Sequence, residues 1–174
     1  MTGIAKEEVL LVYRVPWAVM VLQIGDLAPE FILPNQDEIH VKLSSFRGQR
    51  VVIYFYPKDN TPGCTKEACT FRDFWADFKT HNIQVLGISK DSSASHSKFI
   101  KKYSLPFILL TDHEPCPVAT SYQSYGLKKF MGREYMGMMR HTFVIDKEGR
   151  VELIYRKVKA DMMAKQILLD LAID

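Results

Sequence analysis

A chain of 174 residues with 47% apolar and 25% charged residues is long enough to bury the core of one domain, and its composition excludes a disordered polymer. The formal net charge is only +3, and the basic residues are dispersed, with Lys101-Lys102 and Lys128-Lys129 the densest pairs; no basic stripe marks a nucleic-acid interface. Three cysteines, Cys64, Cys69 and Cys116, are an odd number and too few for a disulfide framework, which points to a reducing compartment, the cytoplasm.

The first residues are apolar in two runs, Val9 to Tyr13 and Trp17 to Leu22, interrupted by Arg14 and Pro16. A membrane span takes about 20 apolar residues, so this stretch is too short and too broken. As a secretory signal it has Glu7 and Glu8 where basic residues belong, and no small-x-small cleavage site. Met20 is a sensible start for the domain. Residues 1–20 are therefore read as an extension, with 1–19 dispensable, and 21–174 as the domain.

Leu27 to Leu33 reads as a strand closed by Pro34, and Ile39 to Leu43 as its hairpin partner. Ser44 to Gly48 is a turn. Val51 to Tyr56 has no polar alternation, so it is expected to be a central strand covered on both faces. From Cys64 to about Lys79 the spacing predicts a helix. Cys64, Ala68, Phe71, Trp75 and Phe78 share one stripe, with Phe74 beside it and Lys66, Asp73 and Asp77 opposite.

Gln84 to Lys90 is a second buried strand. Asp91 or Ser92 caps a helix running to about Tyr103, with Phe99, Ile100 and Tyr103 inward. Phe107 to Thr111 is a third strand after Pro106. Pro117 to about Tyr122 is a short helix, in a region that Gly126 ends. Arg140 to Asp146 and Val151 to Tyr155 flank the turn Lys147-Glu148-Gly149, a hairpin signal. Asp161 to about Ala172 is a last amphipathic helix with Met163, Ile167, Leu168 and Leu171 inward. Strands and helices alternating around a mixed sheet make the chain α/β. A thioredoxin-like topology satisfies that order, although pattern alone does not select it.

The chemistry gathers between Pro57 and Cys69. Cys64 follows a buried strand and opens a helix, where unpaired N–H groups and the helix dipole favour negative charge. Thr61 stands three residues earlier, with Pro62 and Gly63 turning the chain so that its hydroxyl can point back at the sulfur or at a bound oxygen. Pro57 and Pro62 stiffen the loop and remove N–H donors. The blander reading makes Cys64 a small apolar residue on the inward stripe. Cys69 lies about 140° further round the wheel, roughly 8.7 Å from Cys64 across an intact helix. A disulfide tolerates about 7 Å, so a bond between them requires the first turns to unwind. Its blander reading is an exposed thiol.

Pro57-x-x-x-Thr61-x-x-Cys64 matches the active-site motif of the peroxiredoxins. The longer run Tyr56-Pro-Lys-Asp-Asn-Thr-Pro-Gly-Cys-Thr-Lys-Glu-Ala-Cys69 resembles the bacterioferritin-comigratory, or Q-type, members. The resemblance extends from Gly25-Asp-Leu-Ala-Pro-Glu-Phe31 through Lys129-Phe-Met-Gly-Arg133 and Arg140-His-Thr-Phe-Val-Ile-Asp146 to the last helix. It implies a thioredoxin-like fold, with a central mixed sheet flanked by helices and an N-terminal β-hairpin. It also implies reduction of hydrogen peroxide and organic hydroperoxides with neither metal nor flavin, and an antioxidant role in cell redox homeostasis. The implied partner is thioredoxin or a similar dithiol reductant.

Carried over by residue, Cys64 matches the peroxidatic cysteine, Thr61 and Pro57 its motif partners, and Arg140 the arginine that completes the site. Without the resemblance, Arg140 reads as a surface residue at a strand start. Cys69 matches the resolving cysteine that some members carry in the same helix. The implied chemistry runs from sulfenic acid at Cys64 to an intramolecular disulfide, with Arg140 and Thr61 donating to the separating peroxide oxygens. A resolving thiol in the same chain makes a monomer the expected state.

Cys116 reads as a spare thiol or an alternative resolving partner, and His113-x-x-Cys116 is too thin for a metal. His141 should face away from Arg140. Met131, Met136, Met138 and Met139 read as packing or a flexible site wall. Two other functions compete. One is a non-enzymatic redox sensor using the same switch. The other is a dithiol oxidoreductase, which the C-x4-C spacing disfavours. A structural zinc site lacks a fourth ligand.

Overall fold

The computed structural model describes residues 21–173; the readings of residues 1–20 as an extension and of 1–19 as dispensable lie outside them. A five-stranded sheet forms the centre, built from β3 (Arg50–Phe55), β4 (Ile83–Ser89), β5 (Ile108–Thr111), β8 (Thr142–Ile145) and β9 (Val151–Tyr155). Their order across the sheet is β5-β4-β3-β8-β9. β3 pairs parallel with β4, which pairs parallel with β5; β8 runs antiparallel to both β3 and β9. The sheet is therefore mixed, and β3 lies at its middle.

Val51 to Tyr56 are all buried, as an unbroken apolar run demands of a strand covered on both sides. Val52, Tyr54 and Tyr56 pack with Ala68, Phe71, Phe78, Phe99 and Ile167 on one face. Val51, Ile53 and Phe55 pack with Phe31, Leu33, Ala119 and Tyr122 on the other. The first face carries α1 (Pro62–Asp73), α2 (Trp75–Thr80), α3 (Ser93–Tyr103) and α5 (Met163–Asp170). The second carries α4 (Pro117–Ser121) and the N-terminal hairpin of β1 (Ile32–Pro34) and β2 (His40–Lys42). Ser92 caps α3, its hydroxyl accepting from Ser95 N at 3.2 Å. Among the described residues no helix is long and apolar enough to cross a membrane.

Several boundaries differ from the sequence expectation. The first strand begins at Ile32 rather than Leu27, because the backbone before Pro29 bonds to the turn ahead of β9 instead. Ala28 N donates to Gly149 O, and Val151 N to Asp26 O. The helix expected from Cys64 to Lys79 starts two residues earlier, with Pro62 at its favoured first position, and breaks at Phe74. Phe74 leaves helical geometry (φ −98, ψ 12), and the break keeps Phe71 and Phe78 in one cluster, their rings 5.8 Å apart. The last helix is shorter than expected at both ends.

A second hairpin, β6 (Tyr125–Phe130) and β7 (Arg133–Met138), stands where no strand was expected. Its turn, Met131-Gly132, has positive φ at both residues (50° and 77°), as a type I′ turn requires. Of the methionines there, Met138 is buried, while Met131 and Met136 are exposed.

Candidate active site

The site is assembled where β3 ends and α1 begins. Thr61 is the N-cap of α1, Pro62 and Gly63 come next, and Cys64 is the third helical residue. Thr65 N donates to Thr61 O at 2.8 Å and closes the first helical turn. No side chain caps this end, so the first amides of α1 are left without a side-chain acceptor at the positive end of the helix. The Cys64 side chain is buried, only 2% exposed.

Arg140 reaches Cys64 from the segment between β7 and β8. Its Nη2 donates to Cys64 Sγ at 3.3 Å, and its Nη1 donates to Glu67 Oε2. Gly63 makes this approach possible: a Cβ there would sit 3.1 Å from Nη2. The Glu67 side chain is fully buried, and its Oε1 has no hydrogen-bond partner. Burial pushes the Glu67 carboxyl up to about 7, with the Arg140 charge and hydrogen bond pulling the other way. Burial works against charge on Arg140, yet the facing Glu67 and Cys64 outweigh it and hold the guanidinium above its ordinary value. One fixed cation is thus shared between a buried carboxyl and the sulfur. Such a guanidinium suits a thiolate and the negative charge that develops on an oxygen leaving it.

Thr61 differs from the expectation in one respect. Its hydroxyl donates to Lys58 O at 2.9 Å, so it presents lone pairs toward a ligand rather than a proton. Pro57 sits at the head of the same loop. Cys69 lies half-buried on α1, and all three cysteines are free. Arg140 and Cys64 are 76 residues apart, and spacing alone carried no sign of their meeting. Glu67 was overlooked altogether. The signal for it was present, since it lies three residues after Cys64 and four before Phe71, a charge on the inward stripe.

The neighbouring candidates fall outside this centre. His141 is buried, its Nδ1 3.1 Å from Ser124 Oγ, and burial with the Arg156 charge pushes it down to about 4. Cys116 is fully buried, its thiol donating to Asp112 O at 3.4 Å, and burial pushes it up to about 11. Among the described residues no group of three or more His, Cys, Asp or Glu side chains could hold a metal ion. A groove of about 410 Å³, lined by Lys128, Met139, Arg140, His141, Arg156, Lys157 and Val158, opens beside the guanidinium.

A buried cysteine at a helix N-terminus with a guanidinium on its sulfur defines a thiol-based oxidoreductase. The profile of the AhpC/TSA family matches residues 24–154. Peroxiredoxin Bcp of Bacillus subtilis is 48% identical over 140 residues, covering 80% of this chain and 88% of that protein. Peroxiredoxin Bcp of Escherichia coli K12 is 45% identical over 138 residues, covering 79% and 88%. Among solved structures, the Xanthomonas campestris bacterioferritin comigratory protein, studied for alkyl peroxide reduction, superposes with a TM-score of 0.79. It is 32% identical, over 87% of this chain and 96% of that one. The chain belongs to the AhpC/TSA family, as a peroxiredoxin of the Bcp and Q type with the thioredoxin fold. Its reaction is the reduction of peroxides at the expense of a thiol, an oxidoreductase activity with an antioxidant role.

Proposed function

We propose that Cys64 is the peroxidatic cysteine of a thioredoxin-dependent peroxidase that reduces hydrogen peroxide and organic hydroperoxides and resolves itself through Cys69. The observation that carries this reading is the Arg140 guanidinium held between Cys64 Sγ and buried Glu67. The Cys64 thiolate attacks one peroxide oxygen, the O–O bond breaks, and the sulfur keeps a hydroxyl as sulfenic acid. The other oxygen leaves as hydroxide or alkoxide and takes up a proton. Arg140 and the uncapped amides of α1 stabilise the charge as it grows on that oxygen, so their effect is greatest at the transition state. Thr61, with its own proton on Lys58 O, accepts a hydrogen bond from the peroxide and orients it. Pro57 limits the freedom of the loop that carries Thr61.

Cys69 then condenses with the sulfenic acid after the first turns of α1 unwind, forming the disulfide and releasing water. A dithiol reductant of the thioredoxin kind returns both thiols. Residues 21–174 form the catalytic domain, which acts as a monomer in the cytoplasm. The substrate range follows the Xanthomonas relative, whose studied reaction is alkyl peroxide reduction.

The test couples peroxide consumption to thioredoxin, its reductase and NADPH, for wild type, Cys64→Ser and Cys69→Ser. Wild type should turn over and Cys64→Ser should be inert. Cys69→Ser should consume one equivalent of peroxide and then stall. Unchanged steady-state recycling in Cys69→Ser overturns its role as resolving thiol. A wild type that oxidises once and cannot be recycled by any dithiol reductant is a sensor instead.

A further inference from the structure

A second buried polar cluster lies behind the active-site loop, and the peroxidase chemistry does not use it. Asp59 sits between Pro57 and Thr61 and is 7% exposed. Its carboxylate accepts three hydrogen bonds: from Tyr56 OH at 2.6 Å on Oδ1, and from Ser95 Oγ at 2.7 Å and His96 Nδ1 at 2.9 Å on Oδ2. Its backbone N–H donates to Asp91 Oδ2 at 2.9 Å. His96, on α3, is completely buried, and its Nε2 stands 3.2 Å from Leu110 O on β5.

Both ring nitrogens of His96 therefore face acceptors. The contact of Nδ1 with the Asp59 carboxylate is the shorter of the two, and it is closed off in the protein interior. The Tyr56 oxygen, 3.4 Å from Nδ1, does not compete, because burial holds that phenol well above its ordinary range and its proton rests on Asp59. Further ionisable groups around the pair are Asp91, one hydrogen bond beyond Asp59, the buried Tyr54, and Lys98 and Lys102. The two lysines line a pocket of about 270 Å³ that opens on Asp59. β5 presents only its backbone carbonyl to the ring.

The next residue is fastened to the same helix. Asn60, in left-handed conformation (φ 56), accepts from Tyr103 OH at 2.9 Å and from Lys102 Nζ at 3.0 Å. Two successive loop residues are thus tied to α3, immediately before the N-cap of α1.

We propose that His96 and Asp59 are positioning residues of the peroxidatic site. Their buried imidazole–carboxylate contact holds the 57–61 loop so that Thr61 and the first turn of α1 present Cys64 to peroxide. This rests on the peroxidase reading of Cys64. Replacing either partner with an amide weakens the contact, frees the loop and displaces Thr61 and the α1 amides from the oxygen they serve. Displacements of about 1 Å in a reacting geometry slow a reaction by up to about a hundredfold.

The experiment measures the first turnover by stopped flow, one equivalent of hydrogen peroxide against reduced protein, and beside it the rate of Cys64 alkylation by iodoacetamide. Wild type, His96→Gln, Asp59→Asn and the double variant are compared, with urea midpoints recorded for each. Each single variant should lose on the order of tenfold to a hundredfold in rate. The double variant should be no slower than the slower single one, because the two act as one unit. The loss should appear in the peroxide rate without a matching loss in the rate of Cys64 alkylation, a reaction that does not use an oriented peroxide oxygen.

Peroxide rates within about twofold of wild type, additive losses, or an equal loss in the alkylation rate overturn the proposal. Should His96→Gln fail to fold, Asp59→Asn decides by the same two rates. A wild type that does not consume peroxide overturns the peroxidase reading and this inference with it. A consuming wild type with indifferent variants overturns this inference alone.

Discussion

Gly63→Ala should make the protein more stable and a slower peroxidase. A methyl group at Gly63 would lie 3.1 Å from Arg140 Nη2, inside ordinary contact distance, so the guanidinium has to retreat by a few tenths of an ångström. It cannot swing freely, because Nη1 is bound to Glu67. The retreat lengthens the 3.3 Å contact to Cys64 Sγ. A hydrogen bond to a charged partner contributes about 1.5–3 kcal/mol, so losing roughly half of it removes about 0.8–1.5 kcal/mol. If that loss falls on the transition state, the first turnover slows by about four- to tenfold.

The helix responds with the opposite sign. Alanine in place of glycine in a helical turn favours folding by about 0.4–1 kcal/mol, through the entropy of the unfolded chain. Two assays on one variant separate the effects: urea denaturation for stability, and stopped-flow oxidation with one equivalent of hydrogen peroxide for rate. A variant that gains stability and keeps a rate within about twofold of wild type refutes the argument that contact between Arg140 and Cys64 sets the rate. A variant that loses both shows that the methyl displaced the helix rather than the guanidinium.

The remaining predictions concern groups around that centre. Glu67 has its folded value raised from 4.5 to about 7 by burial, so its contribution to stability is complete below 4.5 and is lost as pH rises through about 7. At 1.36 kcal/mol per pH unit that interval corresponds to about 3 kcal/mol. Urea midpoints of wild type should fall across it, and Glu67→Gln should flatten the fall; an equal decline in the variant would contradict the assignment. Cys116, buried and pushed up to about 11, should resist alkylation at pH 8 until the protein unfolds, as peptide mapping would show. Removing residues 1–19 should leave folding and turnover within about twofold, because the cut spares buried Leu22 and its N–H bond to Gln123 Oε1 at 2.9 Å. Loss of solubility or activity would defeat that reading.

How far the residues betray the structure depends on what each is surrounded by. Val51 to Tyr56 can be read as a central strand because nothing but burial on both faces tolerates six such residues in a row. The β6–β7 hairpin is illegible for the converse reason. Leu127, Phe130, Tyr135 and Met136 are exposed, so no alternation toward a core marks the strands. Its Met-Gly turn also lacks the Asn-Gly or Asp-Gly pair that announces type I′. The break at Phe74 is invisible to a helical wheel, which assumes an unbroken period. At the site, Cys64 and Thr61 are local to one loop and can be argued from position. Arg140 comes from the segment between β7 and β8, and only the motif match singled it out. Glu67 was legible from the wheel, where a carboxylate among apolar residues has to find a partner.

On the proposed mechanism α1 must be whole when Cys64 meets peroxide and open when Cys69 meets the sulfenic acid, since an intact helix keeps the two roughly 8.7 Å apart. The residue types suit such a division. Pro62 to Cys69 contains no large apolar side chain; its buried residues are Cys64, Ala68 and Glu67, each burying little apolar surface at about 0.8 kcal/mol per CH₂-sized group. The heavy anchors, Phe71 and Phe78, come later. So does Thr70, whose hydroxyl donates to Lys66 O at 2.8 Å and lies 3.3 Å from Ala160 O. The first two turns carry the buried Arg140–Glu67 pair and the exposed Lys66–Asp161 contact. Burial opposes the Glu67 charge, and opening the turn returns that carboxyl to water. The same carboxyl that orients Arg140 for attack therefore lowers the cost of the subsequent opening, increasingly so as pH rises through about 7. Substituting it with a neutral residue should slow resolution relative to attack, a ratio that sulfinic-acid yield under excess peroxide would report.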